Sequence, residues 1–318
     1  MAVLPPDPVF TLRCAEMGSV NSVCFHHNER ILAGTVKGSI HLWDLQTNRP
    51  FLNFEAGTNP ITYLYHAEDS LFTQEKGGNI KCWTLTNTGY ELKKNYETTH
   101  IAFCKCDYIQ NKDILIYPKS ENSIGFAYLN DENMQEIPDL QPSETLKLGH
   151  ITCLKAINRL GQDYIIAGYE SGDIITWDIR SNKIVSSSKV NEFPMAIDFD
   201  VQSNRGICGS ANDRLEVISF TPRQSFDIKS VNELSIKNPG INCIKIRPDQ
   251  KVFVSGGWDG RIRIFSWKSL RPLAVLTEHK SGGVMDICFS SGKVSTWNAN
   301  IMAAGGFDGQ ITLWDLYN

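Results

Sequence analysis

Short apolar strands separated by polar turns run through the whole chain, and their spacing repeats. A small or glycine-rich turn followed by an apolar stretch that ends in Trp-Asp or a relative occurs seven times: GTVKGSIHLWDL (34–45), QEKGGNIKCWTL (74–85), KSENSIGFAYL (119–129), GYESGDIITWDI (168–179), GSANDRLEVISF (209–220), GGWDGRIRIFSW (256–267) and GGFDGQITLWDL (305–316). The Trp position holds Trp43, Trp83, Ala127, Trp177, Ile218, Phe265 and Trp314, at successive steps of 40, 44, 50, 41, 47 and 49 residues. Ahead of the copies lies a second apolar strand of the form V-x-x-V-x-F, clearest at Val20 to Phe25, Ile151 to Ala156, Ile241 to Ile246 and Val284 to Phe289. After them come a polar turn and one more strand, as in PFLNF and PLAVL. Four short strands per unit, repeated at this period, describe the blades of a β-propeller.

The ends of the repeat array predict how the ring closes. The last copy stops at Trp314-Asp315-Leu316 with no outer strand of its own, while an unpaired strand, VFTLRC (9–14), precedes the first blade. The N-terminal strand is therefore expected to complete the last blade, which removes the open sheet edges that recruit other strands. The expected fold is all-β, one seven-bladed propeller spanning residues 1–318.

Charge and cysteine usage narrow the chemistry. Lys and Arg total 31 against 35 for Asp and Glu, a formal charge of −4, so no broad attraction to nucleic acid or an anionic membrane is expected. No apolar run reaches the roughly 18 residues of a membrane span, and MAVLPPDPVF lacks the features of a signal peptide, which points to the cytoplasm or nucleus. Nine cysteines include no C-x-x-C pair. Cys104 and Cys106, two apart, are expected on one face of a strand, and the cysteines are read as buried, small apolar residues. His26 and His27 are adjacent, and adjacent strand residues point to opposite faces, so a surface or loop role is expected there and no metal or cofactor. Asp198 and Asp200 read as turn or inner-rim groups. The chain contains no phosphate loop, no dinucleotide fingerprint in its strand-to-helix context and no nucleophile elbow, so no enzymatic activity is expected.

Residues carried by the repeats resemble the WD40 family over essentially the whole chain. Four of the seven Trp positions keep Trp, and His150 and His279 stand where that family places a Gly-His pair. The resemblance implies a buried network of His, turn Asp, Ser or Thr, and Trp within a blade. The turn-Asp position holds Lys37, Gly77, Glu121, Ser171, Asn212, Asp259 and Asp308, so most networks are expected to be incomplete. PPDPVFTLR (5–13), LAGTVKGSIHLWDLQT (32–47), AGYESGDIITWD (167–178), IDFDVQSNRGICGSA (197–211) and especially NPGINCIKIRPDQKVFVSGGWDGRIRIFSWKSLRPLAVLTEH (238–279) are similar to the guanine nucleotide-binding protein beta-subunit-like protein 1 group, which includes the fungal ASTRA-associated protein 1. That resemblance implies a part in the maturation of phosphatidylinositol 3-kinase-related kinases, beside cochaperone assemblies of TELO2-type proteins and AAA+ ATPases. It also implies membership of an ASTRA-like chromatin-associated complex, as a monomer within the assembly. A G-gamma partner is not expected, because the first strand begins near Val9 and leaves no room for the pairing helix.

Function is then expected on the surfaces. In a WD40 propeller the residue before the turn-Asp position lies on a face that binds peptides. Here these include Val36, Lys76, Glu170, Trp258 and Phe307. Blades 6, 7 and 1 are ring neighbours, so Trp258, Phe307 and Val36 are expected to form an apolar arc flanked by Lys76 and Glu170. The competing reading has both aromatics fold over their own turn glycines as caps. A second candidate surface is the acidic loop 130–144 inserted after blade 3, with Asp131, Glu132, Glu136 and Asp139, against the alternative of a solvated linker. Trp297, within 290–300, marks a further contact or packs on its own blade. Finally, Trp177-Asp178-Ile179-Arg180 fits the short W-D-x-R box by which some WD40 proteins serve as substrate receptors of cullin-RING ubiquitin ligases.

Overall fold

Each of the seven repeats folds as a small antiparallel sheet in the computed structural model, which describes residues 5–27, 29–129, 136–220 and 226–316. The inner strands are Val20–His26, Ile61–Ala67, Asp107–Ile109, Ile151–Arg159, Ala196–Asp200, Ile241–Ile246 and Val284–Val294. From each, the chain meanders outward through a second and a third strand, and in six blades a fourth strand pairs at the outer edge. No helix occurs among the described residues.

The third strands carry the Trp positions, and all seven sit in equivalent register. Trp43 faces Ile31, Trp83 Leu71, Ala127 Leu115, Trp177 Ile165, Ile218 Gly206, Phe265 Phe253 and Trp314 Met302 across the second strand. In five blades the pairing with the outer strand shifts at this same residue: Trp43, Trp83, Trp177, Ile218 and Phe265. An extra residue there bends the outer strand and tightens the twist. The equivalence therefore holds where Trp has been lost to Ile218 or Phe265.

A blade is buried on both faces, one towards each neighbour, which is why its middle strands read as continuous apolar runs. The core is accordingly a ring of interfaces. Leu32, Ile40 and Leu42 of blade 1 pack on Ile61, Leu71 and Trp83 of blade 2, and comparable clusters fill every junction round to Leu313 of blade 7 against Val20, Ile31 and Trp43 of blade 1.

The N-terminal strand closes this ring as expected, over the shorter span Phe10–Leu12. Phe10 pairs with Leu313, Thr11 with Thr312 and Leu12 with Ile311, and the Val9 amide donates to the Leu313 carbonyl. Near the axis a second set of ties joins blades edge to edge. The Asp286 carboxylate on the inner strand of blade 7 accepts from the Ser22 hydroxyl (2.8 Å) and the Val23 amide (3.0 Å) of blade 1. Ser22 in turn accepts from the Leu64 amide of blade 2. Asp107 of blade 3 takes the Ala156 amide of blade 4, and Asp198 of blade 5 takes the Ile246 amide of blade 6. Lysines pair with these carboxylates: Lys105 of blade 3 reaches the non-adjacent blade 7 at Asp286 (2.8 Å), and Lys155 of blade 4 bridges its two neighbours at Asp198 (2.9 Å) and Asp107 (3.6 Å). Burial works against the charge on Lys155, yet the two carboxylates raise its pKa well above the usual range. Asp198 is thus an inner-rim group, and Asp200 a turn group that accepts from the Gln202 and Ser203 amides and from the Trp267 indole.

Blade 3 departs from expectation. Only three strands, Asp107–Ile109, Ile114–Pro118 and Ile124–Tyr128, form its sheet. The outer position is taken by part of the acidic segment, where Leu140 is buried and exchanges both backbone hydrogen bonds with Ile124. That segment is therefore partly the remnant of an outer strand rather than a free insertion. Cys104 and Cys106 are both buried but do not share a face. Cys104 packs in the junction with blade 4 and Cys106 in the junction with blade 2. They lie just ahead of the inner strand, where several other blades show a one-residue register shift that breaks simple alternation. No disulfide joins any of the nine cysteines.

Candidate functional site

Glycine makes the turns that build the candidate face. At Val36-Lys37-Gly38, Glu170-Ser171-Gly172, Trp258-Asp259-Gly260 and Phe307-Asp308-Gly309 the third residue has φ between 73° and 85°, a region only glycine enters without cost. The first residue of each turn is fixed the same way: its amide donates to the carbonyl just before the inner strand of its own blade. Val36 bonds Ser19, Lys76 Pro60, Glu170 His150, Trp258 Gly240 and Phe307 Gly283, at 2.8–3.0 Å. These five residues therefore stand on one end of the ring, each on a rigid, backbone-anchored turn.

The arc of blades 6, 7 and 1 is present. Val36, Trp258 and Phe307 are 36%, 46% and 52% exposed. Both aromatics also cap a glycine, although it is the glycine just ahead of the inner strand and not one of their own turn, as the competing reading had it. A Cβ on Gly240 would fall 2.2 Å from the Trp258 ring, and one on Gly282 would meet Phe307, so each ring lies over its glycine while its other face stays in solvent. The Trp258 indole donates to Asn242 (2.7 Å), and Asn242 donates to the Val284 carbonyl of blade 7. Ser19 of blade 1 donates to the Phe307 carbonyl. The arc is therefore a tied structure across three blades.

Lys76 and Glu170 are less free than a flanking role implies. The Lys76 ammonium lies 3.7 Å from the centre of the Phe103 ring, and Glu170 accepts from the His150 amide. Phe103 and its neighbour Ile101 are 61% and 65% exposed and extend the apolar surface onto blade 3. Sequence reasoning missed both. Their signal was the alternation in Ile101-Ala102-Phe103-Cys104, two large apolar residues beside a buried cysteine with no polar residue between them.

The secondary surface is weaker. Asp131 and Glu132 lie outside the described residues. Glu136 is exposed, but Asp139 is paired with Lys119 at 2.5 Å. Trp297 packs into the junction of blades 7 and 1, in a hairpin whose Thr296 and Ser295 bond Leu45 and Glu29 of blade 1, so it is structural. In the W-D-x-R box Trp177 and Ile179 are buried, and Asp178 accepts from the Arg180 and Ser181 amides and the Ser181 hydroxyl. Asp44 makes the same turn in blade 1 with Gln46 and Thr47. The box is thus a turn the fold uses elsewhere.

Within the blades, the last one holds the complete polar network. His279 Nδ1 lies 3.0 Å from Asp308, His279 Nε2 lies 3.0 Å from the Thr312 hydroxyl, and the Trp314 indole donates to that hydroxyl at 2.9 Å. Blade 6 answers its turn Asp differently, with Arg263 forking onto Asp259 at 2.6 and 3.1 Å. This arrangement of buried His, turn Asp, Thr and Trp beneath a glycine turn decides the family. The chain belongs to the WD40 family.

The WD domain, G-beta repeat pattern matches residues 6–44, 229–266 and 270–315 of this WD40 protein. It is 31% identical to the mouse guanine nucleotide-binding protein subunit beta-like protein 1, over 98% of this chain and 97% of that protein. It is 24% identical to ASTRA-associated protein 1 of both Schizosaccharomyces japonicus and Schizosaccharomyces pombe, over 98% of this chain and 99% of each relative. A WD40 propeller of this kind is a protein-interaction scaffold.

One expectation about the opposite end of the WD40 ring needs correction. His26 and His27 do not diverge. His26 ends the inner strand of blade 1 and is buried, whereas His27 lies past the strand with φ 49°, the left-handed turn conformation that Glu68 adopts in blade 2. Strand alternation stops there, and both rings meet His66, with centroids 3.9 Å (His26) and 5.2 Å (His27) from it. Burial first, then the neighbouring His27, lowers the pKa of His26 to about 4; burial, then His26 and His27, lowers that of His66 to about 3.

Proposed function

We propose that this scaffold acts in the assembly of phosphatidylinositol 3-kinase-related kinases, holding cochaperones of the TELO2 type and AAA+ ATPases, or the kinases themselves, on its glycine-turn face. The observation that carries the docking face is the set of apolar side chains Val36, Trp258 and Phe307, partly exposed on turns fixed by repeated backbone hydrogen bonds, with Ile101 and Phe103 exposed on blade 3. Rigid aromatics on fixed turns lose little conformational freedom on binding and make strong anchors once desolvated. The kinase-assembly part is supported by whole-length similarity to proteins named as ASTRA-associated. The proposed setting is the cytoplasm and the nucleus, with one copy per assembly.

The test is affinity capture with the full chain and with a Trp258→Ala/Phe307→Ala variant, each checked by thermal melting. Kinase-maturation cochaperones captured by the native chain and lost with the variant are the expected result. The two changes also uncover Gly240 and Gly282, so a modest fall in melting temperature accompanies the loss. Recovery of a cullin adaptor in place of the cochaperones, or undiminished capture by the variant, would overturn the proposal.

A further inference from the structure

We infer that His26, His27 and His66 form a binding site for a zinc ion, on the face opposite the glycine turns and at the junction of blades 1 and 2. One ligand nitrogen from each of the three rings lies within 4.8 Å of the others. Three bonds of about 2.0–2.1 Å to one ion bring nitrogens to about 3.3 Å, which small rotations about the Cα–Cβ and Cβ–Cγ bonds supply. The geometry has a second, independent support. Both ring nitrogens of His26, which is 4% exposed, and Nε2 of His66 are buried without a hydrogen-bond partner among the described residues. Buried polar atoms are nearly always paired, and unpaired nitrogens on two rings in contact call for a partner of another kind. A neutral imidazole keeps a proton on one nitrogen and an electron pair on the other, so His26 and His66 can each offer one lone pair, and a partner that accepts both together is a cation.

The donor set selects the ion. Imidazoles suit zinc and its transition-metal neighbours, whereas calcium and magnesium demand oxygen ligands. The three clustered ligand atoms all come from imidazole rings, so the set is all nitrogen. His27, His66 and Glu68 line a cavity of about 540 Å³, and three protein ligands leave the fourth position of a tetrahedral zinc for water. An ion held here would fasten the inner strand of blade 1 to that of blade 2 at their lower ends. The inference is independent of the docking face and of any partner.

The experiment uses the full chain, stripped with a chelator and dialysed, in a zinc titration against a chromophoric competitor and a parallel cobalt titration followed by visible absorption. One equivalent of zinc per chain, the intense bands of four-coordinate cobalt, and a higher melting temperature with zinc are expected. His27 is exposed, so His27→Gln should fold as the native chain does. It and His66→Gln should weaken zinc binding by more than about 100-fold, beyond the loss from removing a group that only orients a ligand. The inference is overturned if no stoichiometric zinc binds. It is equally overturned if binding survives both substitutions and disappears on thiol alkylation, which would assign the ion to cysteines.

Discussion

Asp286 is the joint that fastens blade 7 to blade 1 near the axis, and Asp286→Ala is expected to cost about 3 kcal/mol of stability. Asp286 is buried, and its carboxylate holds the Ser22 hydroxyl, the Val23 amide and the Lys105 ammonium. Removing it strands the Val23 amide in a dry junction, worth about 1–3 kcal/mol. Lys105 contributes less than a fully buried partner would, because its side chain is 30% exposed and keeps the Met285 carbonyl. With an unfolding entropy of about 2.1 cal/mol/K per residue, the loss lowers the melting temperature by about 4–5 °C. Urea unfolding followed by fluorescence gives the free energy directly. Two further variants make the reasoning specific. Lys105→Met alone should cost less than Asp286→Ala, since Lys105 is partly exposed and the Val23 amide keeps its carboxylate. Asp139→Ala, which breaks the exposed pair with Lys119, should cost under about 1 kcal/mol. A loss at Asp286 no larger than at Asp139 or at Lys105 would refute the argument that this buried joint holds the ring.

Deleting residues 1–14 removes the strand paired with Ile311–Asp315 and should produce aggregation or a broadened, non-cooperative melt; a truncated chain that melts like the full one would contradict closure. Thr312→Val leaves both His279 and the Trp314 indole without their shared hydroxyl and should cost about 2–3 kcal/mol in urea unfolding. Thr176→Val, beside Trp177 on the third strand of blade 4, should be neutral or stabilising, because that hydroxyl is buried with no partner among the described residues. Burial lowers the pKa of His41 and His100 in the folded chain, while the unfolded chain titrates near about 6.5. The unfolded state therefore binds more protons below that pH, so stability is full above it and falls as the pH drops. The urea midpoint at pH 5.5 should lie below that at pH 7.5, with a smaller difference in a His41→Gln/His100→Gln variant; an equal or higher midpoint at pH 5.5 would be the contrary result.

The fold was legible because the repeat states the same physical requirement seven times. A small turn, an apolar strand and a bulky residue near its end recur at every blade, and the register holds even where Ile218 or Phe265 replaces Trp. Closure was legible for a similar reason, since one strand had no partner and one blade lacked a strand. What failed were arguments from local alternation. His27 left the strand at a left-handed turn, and Cys104 and Cys106 lie ahead of the inner strand and outside its pleat, neither of which a period of two can register. His66 lies a whole blade away from His26, so the cluster depends on how adjacent sheets pack. Ile101 and Phe103 escaped notice because they lie outside the repeated phrase in the least regular blade. Trp258 and Phe307 resisted a choice between anchor and cap because each side chain has two faces, one on a glycine and one in water.

The last blade is assembled from opposite ends of the chain, and that sets the order in which the molecule can be completed. Most strand pairs join neighbours in sequence and can form as soon as they leave the ribosome, but Phe10–Leu12 must wait for Ile311–Asp315, some three hundred residues later. The entropy of closing so long a loop rises only slowly with length, so the delay is chiefly one of synthesis time and not of equilibrium cost. At about 5–20 residues per second the early strand stays unpaired for tens of seconds. Throughout that interval the nascent chain carries an open arc of blades with a sticky edge at its growing end, a condition under which two copies on one message can exchange strands. Dimers swapped through the first strand are therefore the misassembly to look for when this protein is made rapidly.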